Sequence, residues 1–273
     1  MIRRSARAVV RAMRAYPVLL RIGLAEAIAY RAEMFVWMLS MTMPLVMLAL
    51  WSAVAESGSI GRFGQDTFTA YFLGTLVVRQ LSGSWVVWEM IYQIREGTFS
   101  MRLLRPIHPL VALSAESFAA VPMRAFLTSP IIFLVIGITD GEHLVAGTHD
   151  TICFFLSMFG AWLLNFSISA IIGTLAMFLQ STMAIWDVWM GSFMLLSGYL
   201  VPLELFPPWL ERTARVLPFA YLQSVPVEIL AGLRTGVAAE QALFAQWAWV
   251  AGVLLILSLL WRRAVRHYEA FGG

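Results

Sequence analysis

The sequence contains no lysine, and its basic charge comes from 19 arginines, which against 16 acidic residues leave a formal net charge of +3. A standard Walker A nucleotide loop requires a lysine that reaches the phosphates. The chain therefore cannot carry such a loop. Any ATP-driven work that it performs must be powered by another subunit.

Charged residues of either sign are scarce, at 13% of the chain against 60% hydrophobic residues. Soluble domains average about 25% charged residues. Several apolar runs exceed 18 residues, the length needed to cross a hydrocarbon core of about 30 Å. The composition predicts an all-α polytopic membrane protein with no room for a sizeable soluble domain.

Enzyme signatures are also absent, since the sequence has neither an HExxH zinc pair nor a GxSxG nucleophile turn. The single cysteine, Cys153, cannot form an internal disulfide. The region 139–150 holds four side chains that could ligate a metal, Glu142, His143, His149 and Asp150, but a solvated loop is the favoured interpretation. We therefore predict no catalytic residues, no metal and no cofactor in this chain.

Six apolar segments are long enough to be membrane helices, and the whole chain, 1–273, forms one transmembrane domain. The predicted helices are 34–55, 67–90, 111–138, 151–179, 183–200 and 243–260. Residues 1–31 are predicted to form an amphipathic interfacial helix, because Arg3, Arg7, Arg11 and Arg14 share one face. Residues 201–240 alternate prolines with apolar pieces too short to span, which indicates a re-entrant or extracytoplasmic segment.

The arginines predict the orientation of these helices. Thirteen lie in the N-terminal segment, the stretch 92–109 and the C-terminal tail, whereas four lie in the segments on the opposite side. Because arginine-rich loops remain in the cytoplasm, we expect a multi-pass protein of a bacterial inner membrane with both termini cytoplasmic.

Ionisable residues within the predicted helices are expensive in lipid and commonly face protein or a cavity. They are Arg79, Glu89, Glu116, Arg124 and Asp187. The favoured interpretation is that they pair with one another or with backbone carbonyls. The alternative is that Arg79 lines a polar cavity and attracts an acidic or polar group of a substrate. Met190 and Met194, beside tryptophans in the fifth helix, indicate either packing or an adaptable apolar path.

Two stretches resemble the ABC-2 type permeases of ABC transporters. The first is IREGTFSMRLLRPIHPL at 94–110, which has that family's basic-Glu-Gly start followed by Leu-Leu-Arg-Pro. The second is LLSGYLVPLELFPPWLERTARVLPFAYL at 195–222, with a Ser-Gly turn, a proline-rich segment and Leu-Pro-Phe. The chain looks closest to the short six-helix permeases similar to daunorubicin and viologen exporters.

The resemblance implies that residues 92–109 form a cytoplasmic coupling helix that docks on a separate ATPase. The implied contact residues are Arg95, Glu96, Gly97, Arg102, Leu103, Leu104 and Arg105. It further implies a path lined by the second and fifth helices, with Arg79, Trp85, Met190 and Met194, and an outer gate at Leu195, Leu196, Ser197, Pro202 and Pro207.

The implied partners are two copies of an ABC ATPase, which would bind ATP and Mg²⁺, a second permease, identical or related, and membrane lipid. No nucleic acid is expected. The sequence leaves the substrate open among hydrophobic drug-like compounds, lipids and glycans. The alternative function is a non-transporting membrane scaffold or sensor subunit that docks a cytoplasmic partner through the basic segment.

Overall fold

The computed structural model describes residues 2–40, 42–138 and 147–268, and these ranges contain helices and no strand. The first half comprises α1 (Ile2–Ala29), α2 (Arg31–Ser40), α3 (Met43–Ala55), α4 (Gln65–Ser82), α5 (Val86–Arg95), α6 (Phe99–Leu103), α7 (Pro109–Ala119) and α8 (Val121–Ile138). The second half comprises α9 (Thr148–Leu175), α10 (Thr182–Leu196), a 3-10 turn (Leu203–Leu205), α11 (Pro208–Val216), α12 (Pro218–Leu222), α13 (Ser224–Leu230) and α14 (Gly236–His267).

Three helical segments in the described ranges are long and apolar enough to cross a membrane: Pro109–Pro130, α9 and α14. The apolar helices α3 and α10 are shorter, and the length and composition of the remaining helices do not reach the same threshold. These helices support a membrane protein. The predicted number of six spans is larger than the three that helix length and composition identify.

Helix α9 is the central element of the bundle, and it packs against α14, α5, α4 and α13. Its small residues Ala161, Asn165, Ser169 and Gly173 recur every four positions and are all buried. A Cβ atom on Gly173 would lie 2.9 Å from Cβ of Met90, so α5 reaches the backbone of α9 there. The small-residue stripe therefore permits close helix packing.

The first predicted membrane helix, 34–55, consists of two helices, α2 and α3, separated near Thr42. Pro44 lies in the first turn of α3, where its missing N–H requires no intrahelical partner. The continuous helix predicted from hydrophobicity is wrong at this point, because proline starts a new helix more readily than it continues one.

The predicted second and third membrane helices are also divided. The helix predicted at 67–90 ends at Ser82 and resumes at Val86, and the helix predicted at 111–138 begins at Pro109 and is divided at Ala120. Pro122 follows that second division at once, whereas Pro130 lies inside α8. The apolar pattern is continuous across both sites, so it does not reveal where the backbone hydrogen bonds of the helix are interrupted.

The boundaries of the later helices differ less from the predicted ones. Helix α9 begins three residues before the predicted 151–179 helix and ends four residues earlier, α10 ends at Leu196 rather than 200, and α14 extends well beyond 243–260 in both directions. Within 201–240 the helices α11, α12 and α13 have at most nine residues. These lengths agree with the expectation that this segment does not span.

Helix α1 is a 28-residue helix that packs on α7 and α8. Gly23 and Ala27 are buried on one face, and a Cβ on Gly23 would lie 2.8 Å from Cβ of Ala119. Met13, nearer the start of the helix, is exposed. The side chains of Arg3, Arg7 and Arg11 lie outside the described part, and Arg14 is exposed.

A buried ion cluster holds the 201–240 segment together. Glu228 accepts hydrogen bonds from Arg215, Arg234 and the hydroxyl of Ser224, at 3.1, 2.8 and 2.7 Å. The Glu228 residue is 2% exposed. Because removing one partner from such a cluster leaves a buried charge without compensation, this cluster fixes how α11, α13 and the start of the final helix meet.

Candidate functional site

The interruption between α4 and α5 is stabilised by side chains from three other helices. Gly83 is extended, with φ −60° and ψ 145°, so the carbonyls before it lose their helical partners. Asn165 of α9 donates to the Ser82 carbonyl at 2.8 Å, and Arg124 of α8 donates to the Gly83 carbonyl. The hydroxyl of Ser117 on α7 donates to that of Ser84 at 3.1 Å. Broken helices within a membrane protein occur where the freed backbone lines a cavity or is buried in protein.

A cavity of about 880 Å³ opens beside this break. Its walls come from α1, α2 and α4 to α10, and its size suits a drug-sized molecule. Four tryptophans line it: Trp37, Trp85, Trp88 and Trp186. Four carboxylates and three guanidinium groups also line it: Glu26, Glu33, Glu89, Glu116, Arg79, Arg102 and Arg124. The site is therefore aromatic and charged at once.

Arg102 of α6 connects the charged 92–109 segment to this cavity. It forms a two-point ion pair with Glu116 of α7, at 2.9 and 3.1 Å, and it also donates to Glu89 of α5. Its Nε donates to Gln93 Oε1 at 2.7 Å. The Arg102 side chain is only 12% exposed. Two of the three predicted intramembrane acids, Glu89 and Glu116, thus pair with an arginine from the adjoining segment.

Arg79 and Arg124 make a different set of contacts. The guanidinium carbon of Arg79 lies 4.7 Å from the centroid of the Phe193 ring on α10. Arg124 bonds the Gly83 carbonyl and is 9% exposed. Neither guanidinium has a carboxylate within ion-pair distance among the described residues, unlike Arg102. The predicted pairing of the intramembrane charges therefore holds for the two glutamates and for the carbonyl contact of Arg124.

The remaining predicted residues divide between this cavity and other places. Trp85 and Met190 line the cavity with Arg79, whereas Met194 does not line it and packs against the core around Phe193. Asp187, on the second turn of α10, is exposed and lies outside the cavity lining. The five predicted gate residues do not form one surface: Leu195 and Pro207 are exposed, Leu196 is half-buried, and Ser197 and Pro202 are buried.

The 92–109 segment has an inner and an outer face. Phe99 is fully buried, with its ring centroid 6.1 Å from that of Trp261 at the end of α14. On the outer face, Met101 and Leu104 are 66% and 83% exposed. Arg95, Glu96 and Arg105 are also exposed, Leu103 is partly buried, and Gly97 adopts φ 75° at the turn before α6. Met101 had not been selected as a contact residue, because a lone methionine carries no distinctive signal.

The predicted loop residues Glu142 and His143 lie outside the described part of the chain. His149 contacts Asp150 at 3.1 Å and Glu240 at 2.9 Å, and ligand atoms of His149, Asp150 and Cys153 lie within 4.8 Å of one another. Asp150 also accepts from the Gly236 amide at 3.0 Å, at the start of α14. These contacts connect the first turns of α9 and α14.

Some cavity residues were not predicted from the sequence. Glu26, Glu33 and Trp37 come from α1 and α2, which had been interpreted as an interfacial helix and the start of a span. Ser84 and Gln80 belong to the broken helix. The adjacent Gly83 and Ser84 within an apolar run were an available signal for the break, since paired small residues are common at helix kinks.

The described residues form a helical bundle with a cavity beside a broken helix and with apolar helices long enough to cross a membrane, which is the architecture of a membrane protein. The family model described as ABC-2 family transporter protein matches residues 47–272. The chain belongs to the ABC-2 transporter family, and its role is that of a permease. No curated protein matches the chain. The family match does not separate the daunorubicin-like and viologen-like group from other members.

Proposed function

We propose that this chain is the membrane-spanning permease subunit of an ATP-driven exporter in a bacterial inner membrane. It works as a dimer, each copy docked through residues 92–109 on a separate ABC ATPase. The six spans are α2–α3, α4–α5, α7–α8, α9, α10 and α14. The observation that carries the proposal is the position of Arg102, which joins the exposed segment to two helices that line the cavity.

A docking site must be exposed, and it must be held in place by packing against the rest of the protein. We define the coupling surface as the exposed side chains of Arg95, Met101, Leu104 and Arg105. Two apolar side chains flanked by arginines suit a protein groove with acidic edges, because apolar anchors supply most of the binding energy while charges steer the approach. Phe99 anchors the opposite side of α6 against Trp261.

The parts proposed as cytoplasmic meet at one end of the molecule. The guanidinium of Arg95 donates to the Gln180 carbonyl at 2.7 Å, which places the turn between α9 and α10 beside the coupling surface. The Phe99–Trp261 contact places the C-terminal end of α14 there too. The arginine-rich tail and the coupling surface therefore lie at one end, as the positive-inside rule requires.

Force on the coupling surface has a direct route to the cavity. A displacement of α6 moves Arg102, and the ion pairs of Arg102 transmit that displacement to Glu89 on α5 and Glu116 on α7. Closure of the two ATPase subunits on ATP would thus shift the bundle between inward-open and outward-open states as rigid bodies. Helix α10 supplies exposed apolar residues, Val188 and Leu195, for contact with the second copy.

The docking step is tested by Met101→Glu combined with Leu104→Glu, in cells that express this chain together with an ABC ATPase that copurifies with the wild-type chain. We expect the double variant to lose most of the ATPase that copurifies with the wild-type chain. Val216→Glu is the matched control, because Val216 is similarly exposed but belongs to α11. Equal ATPase recovery with the double variant and the wild type would contradict the docking surface. A chain that purifies with another partner and no ATPase would favour the scaffold function.

A further inference from the structure

Two guanidinium groups line the cavity without a carboxylate within ion-pair distance among the described residues. Arg79 and Arg124 both line it, on α4 and α8, and each lies within one of the proposed spans. A Cβ atom on Gly83 would lie 3.3 Å from Nη1 of Arg124 and 3.4 Å from the carbonyl oxygen of Arg79. The Arg124 side chain therefore reaches the helix break, which lies one turn after Arg79 on α4, and both guanidinium groups belong to the lining of the same cavity.

Two other arginines that are partly buried, Arg102 and Arg215, differ from Arg79 and Arg124 in their partners. Arg102 and Arg215 each have two or more carboxylates within ion-pair distance. Arg79 instead has the face of Phe193, and Arg124 has a carbonyl oxygen. Such contacts satisfy part of a guanidinium, which has five N–H donors. Donors therefore remain at this end of the cavity for a further acceptor, and two nearby positive charges favour a negatively charged one.

We propose that Arg79 and Arg124 bind the acidic group of an amphipathic organic anion, a phosphate or carboxylate attached to an apolar body. Guanidinium groups match the geometry of both acidic groups with paired N–H donors. The apolar body lies among the tryptophans of the same cavity, where Trp37 and Trp85 make an edge-to-face contact at 4.9 Å. This inference rests on the proposed function, because it assigns a substrate class to the transport cavity.

The acidic residues of the cavity do not cancel this site. Arg102 is bonded to both Glu89 and Glu116, so these two carboxylates are engaged near the coupling surface. Glu26 and Glu33 are exposed residues of α1 and α2. The charge of the cavity is therefore divided: carboxylates lie toward the coupling segment and on the N-terminal helices, and unneutralised arginines lie at the helix break.

The test is a binding measurement on the purified full chain in nanodiscs of phosphatidylcholine. Tryptophan fluorescence is titrated with bromine-labelled dodecyl phosphate, and with the trimethylammonium and alcohol derivatives of the same chain. We expect saturable quenching by the phosphate that is at least about tenfold tighter than quenching by the other two, the factor expected for a charge-assisted hydrogen bond. Equal affinity for the ammonium or alcohol chain would overturn the proposal.

Variants assign the binding to the two arginines. Arg79→Gln and Arg124→Gln should each weaken phosphate binding by about tenfold or more. Arg79→Lys and Arg124→Lys keep the charge but lose the paired donors, so they should weaken binding less than the glutamine variants do. Arg212→Gln is the control, since Arg212 is an exposed arginine of α11 outside the cavity. Unchanged binding by both glutamine variants, with thermal unfolding like that of the wild type, would overturn the proposal.

Repeating the titration in nanodiscs of a second lipid composition identifies the source of the anion. If phosphatidylglycerol in the nanodisc competes with the alkyl phosphate, the acidic group is a lipid headgroup; if it does not, the site takes a free amphiphile. Both outcomes support the arginine site. Copurification of the ATPase with the wild-type chain separates the two proposals. A wild-type chain that retains the ATPase but shows no preference for the phosphate removes the substrate class and leaves the permease function intact.

Discussion

The guanidinium of Arg102 and the carboxylate of Glu116 form two parallel hydrogen bonds, 2.9 and 3.1 Å long, between α6 and α7. A two-point pair of this kind fixes orientation as well as distance. It therefore makes the short α6 a rigid extension of the helices around the cavity, although α6 itself has only five residues.

Arg102→Gln should separate docking from coupling. The Arg102 side chain points inward, so the variant should still copurify with the ATPase but lose most of the transport-dependent ATP hydrolysis. It should also lower the free energy of unfolding by about 1.5–3 kcal/mol, the contribution of hydrogen bonds to charged groups. ATP hydrolysis in reconstituted vesicles and thermal unfolding measure the two effects.

The matched control for Arg102 is Arg105→Gln, which removes an exposed arginine from the same segment. It should change unfolding by no more than about 0.5 kcal/mol and weaken ATPase association instead. If Arg102→Gln loses the ATPase and Arg105→Gln does not, Arg102 acts in docking and the proposed division is wrong.

Glu228→Gln should strongly destabilise the 201–240 segment. Its carboxylate accepts from two arginines and a serine while almost completely buried. Loss of this charge leaves Arg234 without a carboxylate partner among the described residues, and Arg215 with Glu211 and Glu204 only. Breaking the buried pairs is expected to reduce the free energy of unfolding by about 3–5 kcal/mol. Denaturant unfolding of the purified chain measures the change.

Glu211→Gln provides the comparison for Glu228, because Glu211 contacts the same Arg215 at 2.8 Å but lies nearer the surface. We expect a loss of at most about 1 kcal/mol. Equal losses in the two variants would show that burial of Glu228 does not decide the strength of the cluster.

Gly198→Ala should be destabilising for two separable reasons. Gly198 has φ 83°, and an added Cβ would lie 2.5 Å from the hydroxyl oxygen of Tyr71, which donates to the Gly198 carbonyl at 2.8 Å. The left-handed backbone alone costs about 1–2 kcal/mol with a side chain. The steric contact adds to this, so the fall in thermal stability should exceed that of Gly236→Ala.

Gly236 is the matched control, since it has φ 54° and no atom within 4 Å of the added Cβ. Tyr71→Phe in the Gly198→Ala background should lower stability less than it does in the wild type, because it removes the crowded oxygen. Equal effects in both backgrounds would mean that the chain moves away from the clash.

Asn165→Leu should weaken the helix break. It leaves the buried Ser82 carbonyl without its donor, which is expected to lower the free energy of unfolding by about 1–3 kcal/mol. Ser169→Ala, one turn farther along α9, should be nearly neutral, because the buried Ser169 hydroxyl has no hydrogen-bond partner among the described residues. A larger loss for Ser169→Ala would contradict the role assigned to Asn165.

The stability of the first turn of α7 should depend on pH. The Leu110 amide donates to Nδ1 of His108 at 3.3 Å, and partial desolvation of the imidazole lowers the pKa of His108. A lowered pKa means that the neutral, capping form is favoured by folding. Its contribution of about 1 kcal/mol is therefore present above the ordinary pKa of about 6.5 and is lost as the pH falls below it.

Hydrogen exchange of the first turn of α7 measures this dependence between about pH 8 and about pH 5 (about one and a half units on either side of the ordinary histidine value). Protection should fall at the acidic end in the wild type. His108→Asn should keep the cap at both pH values, because an asparagine side chain accepts the same bond without protonation. A pH response that persists in His108→Asn would assign the effect to another group.

Much of the class of this protein follows from local sequence features. The apolar runs predict membrane helices, the absence of lysine excludes a standard nucleotide loop, and the Arg-Glu-Gly and Leu-Leu-Arg-Pro stretch carries the family resemblance. The match over residues 47–272 confirms the ABC-2 family. These features can be interpreted from sequence because each depends on a few neighbouring residues and on their transfer between water and lipid.

The details of the site depend on partners distant in the chain. Asn165 and Ser82 are 83 positions apart, and Arg124 and Gly83 are 41 apart, so hydrophobic periodicity could not reveal the bonds that hold the helix break open. Likewise, the sequence identifies Arg102 as a residue of the charged segment, but it does not show that the Arg102 side chain points inward. The sequence by itself determined a membrane permease with an arginine-rich segment between its helices. Only the tertiary structure decided which arginines are neutralised, because that depends on the carboxylates that packing brings within hydrogen-bond reach.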